Sequence, residues 1–572
     1  MIHTGHSKIE IQAYREGLGM LGYGRDFNKM HGQISPIYCR AVTFWDSASS
    51  KKIFYVNCEL CFTTQGVKRE VLKRLLERDP QGGYLDENIL ISSQHTHSAP
   101  GGFAHHPFYN FPVPGFRPSI FNAVVDAIQE AIFQSNQNLK PAKLYFHTGV
   151  FEPDVDVAFN RSLKAYNQNP DVEKRGKHET HLAVDRQMDL LRIDDLHGSP
   201  VAQINWFGVH TTSLGNRINR ISGDNKGYAS QFFEEEVGGD FNAIFAQQIA
   251  GDVSPNLHGK RKDGWYKKGP NKSDIENAMF NGRLQYYKAK EIWEDAPDKE
   301  IVQGPLDYIL AYYDMSKVRV HPDFANGRND AETDSACHGT AFFSGTPVDG
   351  PGMPQGVKQF AEFCSNVIKY GEFFLGLFRD EKYRNWVRKK YKVQGKKHIV
   401  FETGRGVAFG TRNIKMFFIP GFFDGGIAEM KRQHRRGALR ELPWTPHVVP
   451  LQILRIGQLA MAAFPGEITT VGGQRLRNML LKELEPIGIK HVIISSYSNN
   501  YMGYCVTNEE YQVQCYEGGH TVFGQWTHGA FMTRFRELAR EFIKPENQRN
   551  IDRSVQPHTF SEQEMALRTY ND

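Results

Sequence analysis

Cysteine is scarce, with seven residues in 572, at positions 39, 58, 61, 337, 364, 505 and 515. An odd, scattered set in so long a chain argues against a disulfide framework. Long apolar runs are absent too, since none reaches the roughly 18 residues of a membrane-crossing helix. The opening Met1-Ile2-His3-Thr4-Gly5-His6-Ser7-Lys8 lacks the charged and apolar regions of a secretory leader, so the expected location is cytoplasmic or reached by a non-Sec route. Nor is there a surplus of one charge: 69 Lys and Arg against 64 Asp and Glu leave +5, far short of the basic footprint of a nucleic-acid binder. No internal repeat or composition break stands out, which favours one large catalytic domain over residues 1–545 and a polar tail over 546–572.

What is present is an ordinary globular balance of 40% apolar, 12% aromatic and 23% charged residues. Ile53 to Leu60 reads as a strand, Val67 to Leu76 as a helix by its apolar spacing, and Asn88 to Ser93 as a second strand. That β-α-β order predicts an α/β fold with a mainly parallel or mixed central sheet. A helix over Asn122 to Phe133 and buried strands over Val201 to Val209, Leu451 to Phe464 and Val492 to Tyr497 continue the pattern. Polar stretches at Asn167 to His181, His258 to Ser273 and His321 to Ser335 read as surface insertions.

Candidate chemistry collects just past these strands, where α/β folds place ligands. Gln94-His95-Thr96-His97 follows the second strand, and alternation sends both imidazoles to one face. His210 ends the run Ile204 to Val209, and Glu467 follows Ala462 to Gly466. Two imidazoles and a carboxylate are a donor set suited to zinc, though each taken alone reads more readily as a hydrogen-bonded strand end. Cys58 and Cys61 have metal or redox spacing but continue an apolar run, which favours plain core thiols. Ser254 in Gly251-Asp252-Val253-Ser254-Pro255-Asn256 lacks the flanking pattern of a nucleophile elbow. His105 to Pro118, rich in Phe and Pro, is either an apolar gate or a loop pinned to the core. Lys431, Arg432, His434, Arg435, Arg436 and Arg440 form a basic cluster, read as a solvated face or as a contact for anionic lipid.

Six segments, HTHSAPGG from His95, NWFGVHTT from Asn205, SGDNKGYAS from Ser222, GDVSPN from Gly251, GTPVDGPG from Gly345 and PGEITT from Pro465, together resemble the neutral ceramidases, in the same order. Leu18 to Gly24 is similar to that family's opening. The resemblance implies one zinc per chain, held by His95, His210, Glu467 and a tyrosine placed at Tyr504, the second of the pair with Tyr501. It also implies that His97, Arg161, Ser254 and Tyr516 surround the scissile bond.

The implied activity is zinc-dependent hydrolysis of the N-acyl amide of ceramide to a fatty acid and sphingosine. The alternatives are a zinc amidase for another N-acyl lipid or amine, or a silent lipid-binding homologue. Zinc would activate water, His97 would manage the proton, and Arg161 or Tyr516 would stabilise the oxyanion. Ser254 would be either an acylated nucleophile or a contact for the substrate's primary hydroxyl. The implied partner is ceramide or a related N-acyl lipid, with peripheral contact to a membrane or micelle and no nucleic acid. The family usually carries a C-terminal β-sandwich, for which the residues after Tyr504 leave little room.

Overall fold

A computed structural model of the chain describes residues 1–260, 267–346, 348–414 and 424–571. One pattern of elements occurs three times. In the first unit, strands β1 (Ile2–Glu10), β2 (Tyr38–Asp46) and β3 (Lys52–Cys58) pair antiparallel, helix α1 (Gln65–Arg78) crosses over, and β4 (Ile89–Ser93) returns parallel to β3. Helix α2 (Pro118–Gln137) then packs on the unit. The second unit repeats this with β5 (Lys140–Val150), β6 (Gln187–Asp195), β7 (Pro200–Phe207), α3 (Asp224–Val237), β8 (Asn242–Gln247) and α4 (Asp274–Asp295). These two units share one mixed sheet of order β8-β7-β6-β5-β1-β2-β3-β4, to which the short strand Glu300–Ile301 adds on β5.

The third unit starts at β9 (Leu306–Asp314). A helical insertion follows, with α5 (Gln355–Gly376), α6 (Glu381–Gln394) and α7 (Gly425–Arg436). The pattern then resumes with β10 (Val448–Ile456), β11 (Leu459–Ala463), α8 (Thr470–Leu484), β12 (His491–Ser495) and α9 (Thr527–Phe542), the strands forming a separate four-stranded sheet. The chain turns between β10 and β11 at Gly457, whose φ of +59° suits glycine.

The strand periodicities explain how the units pack. Both faces of the inner strands are apolar, as expected when each face is covered. One face of all three units meets in a shared core that includes Phe44, Tyr55, Ile193, Trp206, Leu454 and Met461. The opposite faces are sealed by the units' own helices, in cores holding Val71 and Ile128, Phe233 and Tyr286, and Leu480 and Phe535. In each unit the third and fourth strands are parallel, so six carboxyl ends are available for site residues.

The α/β expectation holds, with the sheet mixed and most pairs antiparallel. The threefold recurrence runs against the expected absence of a repeat. It lies in connectivity and not in side chains, since corresponding strand ends carry Cys61, His210 and Glu467. The Phe-rich loop is pinned to the core: Phe103, Tyr109, Phe111 and Phe116 are buried, and the Tyr109 hydroxyl donates to the Tyr501 carbonyl at 2.8 Å. Residues 546–571 fold back as well. Within them α10 (Glu562–Arg568) buries Arg568, which donates to the carbonyls of Ala438 and His105. In the basic cluster, Arg432 and Arg436 lie over the Tyr570 ring and Arg432 pairs with Glu429, so part of that cluster holds the C-terminal segment. The insertion expected over His258 to Ser273 falls partly outside the described residues. Among the described residues no helix is long and apolar enough to cross a membrane.

Candidate metal centre and catalytic site

The parallel strand pairs deliver the site. His95 and His97 follow β4, His210 follows β7, Ser254 follows β8, Glu467 follows β11, and Tyr497, Tyr501 and Tyr504 follow β12. The first two of these loops are laced together: His97 N donates to Thr211 O, and the Thr211 hydroxyl donates to Gln94 O at 2.8 Å. Gly22 allows the His97 ring to sit against the backbone, because a Cβ there would lie 2.4 Å from His97 Cγ and φ is +124°.

His95, His210 and Glu467 are fully buried and form one cluster of donor atoms that could hold a metal ion. His95 Nε2 lies 3.4 Å from Glu467 Oε1, and His210 Nε2 lies 3.1 Å from Glu467 Oε2. Each histidine donates its Nδ1 proton to a backbone carbonyl, His95 to Cys61 at 2.6 Å and His210 to Val253 at 2.9 Å. A neutral ring so fixed turns its Nε2 lone pair toward the carboxylate. Burial keeps His95 neutral by pulling its pKa down to about 4. Burial opposes the charge of Glu467, whose carboxyl is nonetheless held well below its usual range, with the bond donated by the Tyr501 hydroxyl contributing. Lone pairs from nitrogen and oxygen facing one another in a buried space call for a cation between them, so the residues fit a metal. Residue His95 also takes the left-handed region at φ +71°, strain of the kind that collects at functional sites.

Three tyrosines surround the cluster in different ways. Tyr501 donates to Glu467 Oε1 at 2.5 Å and Tyr497 donates to Glu467 Oε2 at 3.1 Å, so both orient the carboxylate. Tyr504 instead places its oxygen 3.3 Å from His210 Nε2, inside the cluster. Arg161 donates to that oxygen at 2.9 Å. The remaining guanidinium contacts go to Asp349 and Glu517, both at 2.9 Å, and to the Gly251 carbonyl at 3.0 Å. Arg161 therefore has every side of its guanidinium engaged, and its neighbours are the cluster's outer support.

His97 and Tyr516 are only half-buried, unlike the metal-ligating candidates. His97 Nε2 sits 3.1 Å from His95 Nε2, and its buried Nδ1 has no hydrogen-bond partner. Burial, with His95 and His210 nearby, lowers the basicity of His97. The Tyr516 ring stands edge-on to Tyr504 with centroids 5.4 Å apart, and burial together with Glu467 raises its pKa, so the phenol keeps its proton. Ser254 donates to Asp349 Oδ1 at 2.7 Å and accepts from Asn256 N at 3.0 Å. Asp349 also accepts from Thr212 and Asn256. Burial resists the Asp349 charge, but Arg161, His210 and Ser254 hold its carboxyl below the usual range.

All eight residues singled out in the sequence are thus brought to one place. Sequence reading passed over Asp349, which lay inside the GTPVDGPG segment, and gave Tyr497 no role. Cys58 and Cys61 do not pair: Cys58 Sγ faces Cys39 Sγ at 3.7 Å, and Cys61 Sγ lies 3.6 Å from His95 Nδ1. Burial raises the Cys61 thiol well above its ordinary value, which keeps it neutral.

The family described as neutral/alkaline non-lysosomal ceramidase, N-terminal, matches residues 3–414 and 435–533. The chain is 33% identical over 537 residues to a neutral ceramidase of Pseudomonas aeruginosa, covering 94% of this chain and 71% of that protein. It is 32% identical over 566 residues to neutral ceramidase B of Dictyostelium discoideum, covering 94% and 72%. A solved structure of a ceramidase complexed with C2 superposes with a TM-score of 0.77 at 31% identity, covering 98% of this chain and 78% of that one. The match over most of the chain, with these identities to neutral ceramidases, places the chain in the neutral/alkaline non-lysosomal ceramidase family.

Proposed function

We propose that the chain hydrolyses the N-acyl amide of ceramide, releasing a fatty acid and sphingosine, with a zinc ion held by His95, His210, Glu467 and Tyr504. Residues 1–545 act as one catalytic domain in this reading. The observation that carries it is the buried cluster of imidazole Nε2 atoms turned onto Glu467, in a chain that belongs to a ceramidase family. A bound zinc would supply Lewis acidity, lowering the pKa of water and polarising the amide carbonyl. The two histidines and the carboxylate suit zinc, and Tyr504 would complete the set: burial and Glu467 raise its pKa well above the ordinary value, while Arg161, which donates to its oxygen, works against them.

The protein's own groups do the rest. His97, at the rim of the cluster, accepts the proton of the attacking water and delivers it to the departing nitrogen as the C–N bond breaks. The Tyr516 hydroxyl, which keeps its proton, donates to the carbonyl oxygen as charge builds there. Arg161 is a positioning residue for Tyr504 and Asp349, because its donors are already engaged. Ser254 has a carboxylate and a backbone amide as partners, with no imidazole to take its proton. Its oxygen is suited to hold the substrate's primary hydroxyl and not to attack.

The test is a panel of N-acyl lipids incubated with the purified chain, products being identified by mass spectrometry. Ceramide should give equimolar fatty acid and sphingosine. Cleavage confined to a different N-acyl lipid would move the assignment to an amidase of other substrate, and cleavage of none would contradict the reading.

A further inference from the structure

Helix α5 is inverted relative to the other long helices. Its buried positions are small, Ala361, Ser365 and Gly376, whereas its large apolar side chains point outward. Phe363, Val367, Tyr370, Phe374, Leu377 and Phe378 recur at steps of three and four along one face and its C-terminal continuation, and each is 54% to 74% exposed. Nearly half of the exposed large apolar side chains among the described residues fall within this one segment. A stripe of that extent is an interaction surface and not scatter.

Three observations say what covers it. The two acids of α5 lie off the exposed stripe and are each paired with a lysine: Glu362, 30% exposed, with Lys358 at 3.8 Å, and Glu372, 16% exposed, with Lys390 at 2.5 Å. The outer face therefore carries no carboxylate of the helix. Next to its exposed C-terminal end, residues 379–392 carry seven Lys and Arg against Asp380 and Glu381, a basic surplus in which Arg379, Lys382 and Arg388 are exposed beside those two acids. A stripe of aromatics bordered by cations complements phosphate headgroups over acyl chains, whereas two copies of this face would set like charges together. The stripe is also tied to the site. Helix α5 starts six residues after Asp349, the partner of Ser254 and Arg161. Glu362 accepts from Thr340 in the turn Thr340–Phe343, whose Phe342 ring lies 5.2 Å from Tyr516.

We propose that the outer face of α5 docks the protein on a phospholipid bilayer, lying in the plane of the headgroups beside the catalytic loops. The inference rests on the reading of the substrate as a bilayer lipid, and it assigns the docking to Phe363, Val367, Tyr370, Phe374 and Phe378, away from the basic cluster of α7.

The test is flotation of the full chain with phosphatidylcholine vesicles, with and without phosphatidylglycerol, alongside ceramide hydrolysis in those vesicles. Phe363→Ser with Phe374→Ser should weaken vesicle binding at least about tenfold and raise KM for vesicle ceramide, with kcat on a short-chain monomeric N-acyl substrate within about twofold of wild type. Lys382→Glu with Arg388→Glu should remove only the part of binding that depends on phosphatidylglycerol. Because these positions are exposed, thermal melts of the variants should match wild type. Wild-type vesicle binding that is absent, or unchanged in the Phe variant, would overturn the proposal, as would light scattering that shows a wild-type dimer dissociated by the Phe substitutions. If vesicle binding is lost in the variant while wild type cleaves no ceramide, the docking stands and the proposed reaction falls. Cleavage of micellar ceramide without any vesicle binding reverses that outcome.

Discussion

Ser254 is bonded to a carboxylate held below its usual range, and a weak base of that kind cannot generate an alkoxide. Ser254→Ala should therefore leave residual turnover, lowering kcat/KM by roughly 10- to 100-fold, with the smaller loss on substrates that lack the primary hydroxyl. Isolation of a fatty-acyl adduct on Ser254 by mass spectrometry would contradict the positioning role. His97 has the opposite profile, since it borders the donor cluster and the half-open side of the site without belonging to the buried ligand set. His97→Gln should reduce kcat by roughly 10²- to 10⁴-fold and leave bound metal at the wild-type level. Loss of metal in that variant would make His97 a ligand.

At the scale of elements, strand ends were legible in the sequence and their company was not. The runs ending at Ser93, Val209 and Phe464 were largely apolar, so the polar residues after them stood out. Strands β1, β2, β5, β6, β8 and β9 were missed, several because they alternate or carry charges such as Arg192 and Asp194, which bond each other at 2.9 Å inside the fold. Asp349 sits in a turn with no periodicity to mark it, and only its four hydrogen-bonded neighbours reveal its work. Tyr497 and Tyr501 could not be told from Tyr504 by spacing, since what separates them is which atom of the cluster each hydroxyl meets. The loop at Gly22 is the element whose disturbance is easiest to read. Gly22→Ala would drive a methyl into the His97 ring, so kcat should fall by about tenfold or more while metal content holds. An unchanged kcat would mean the loop yields without moving His97.

Across the whole molecule, three similar units bring six parallel strand ends to one buried place, and much of the burial falls on histidine. Outside the candidate ligand set, burial pulls His105, His447 and His528 to about 4, and His520, whose ring packs beside Tyr504, to about 3. Between those values and 6.5 the unfolded chain binds protons that the folded chain refuses, so stability is full above about pH 6.5 and falls as pH drops toward 4. Glu510, raised to about 7 by burial and by Asp252, works in the other direction but is outnumbered. Urea unfolding at pH 5 should give a lower midpoint than at pH 7.5, by an amount on the order of several kcal/mol in stability. Equal midpoints would mean that these histidines are hydrated in the folded state.

The central claim is that His95, His210, Glu467 and Tyr504 form one zinc site on which amide hydrolysis depends. The most direct measurement strips the purified chain of metal and then adds zinc in steps, following bound metal and ceramide turnover in the same samples. The account predicts that both rise together and level off at about one zinc per chain, and that His210→Ala and Glu467→Ala give neither. Full turnover in the stripped protein, or undiminished zinc binding in those two variants, would contradict it.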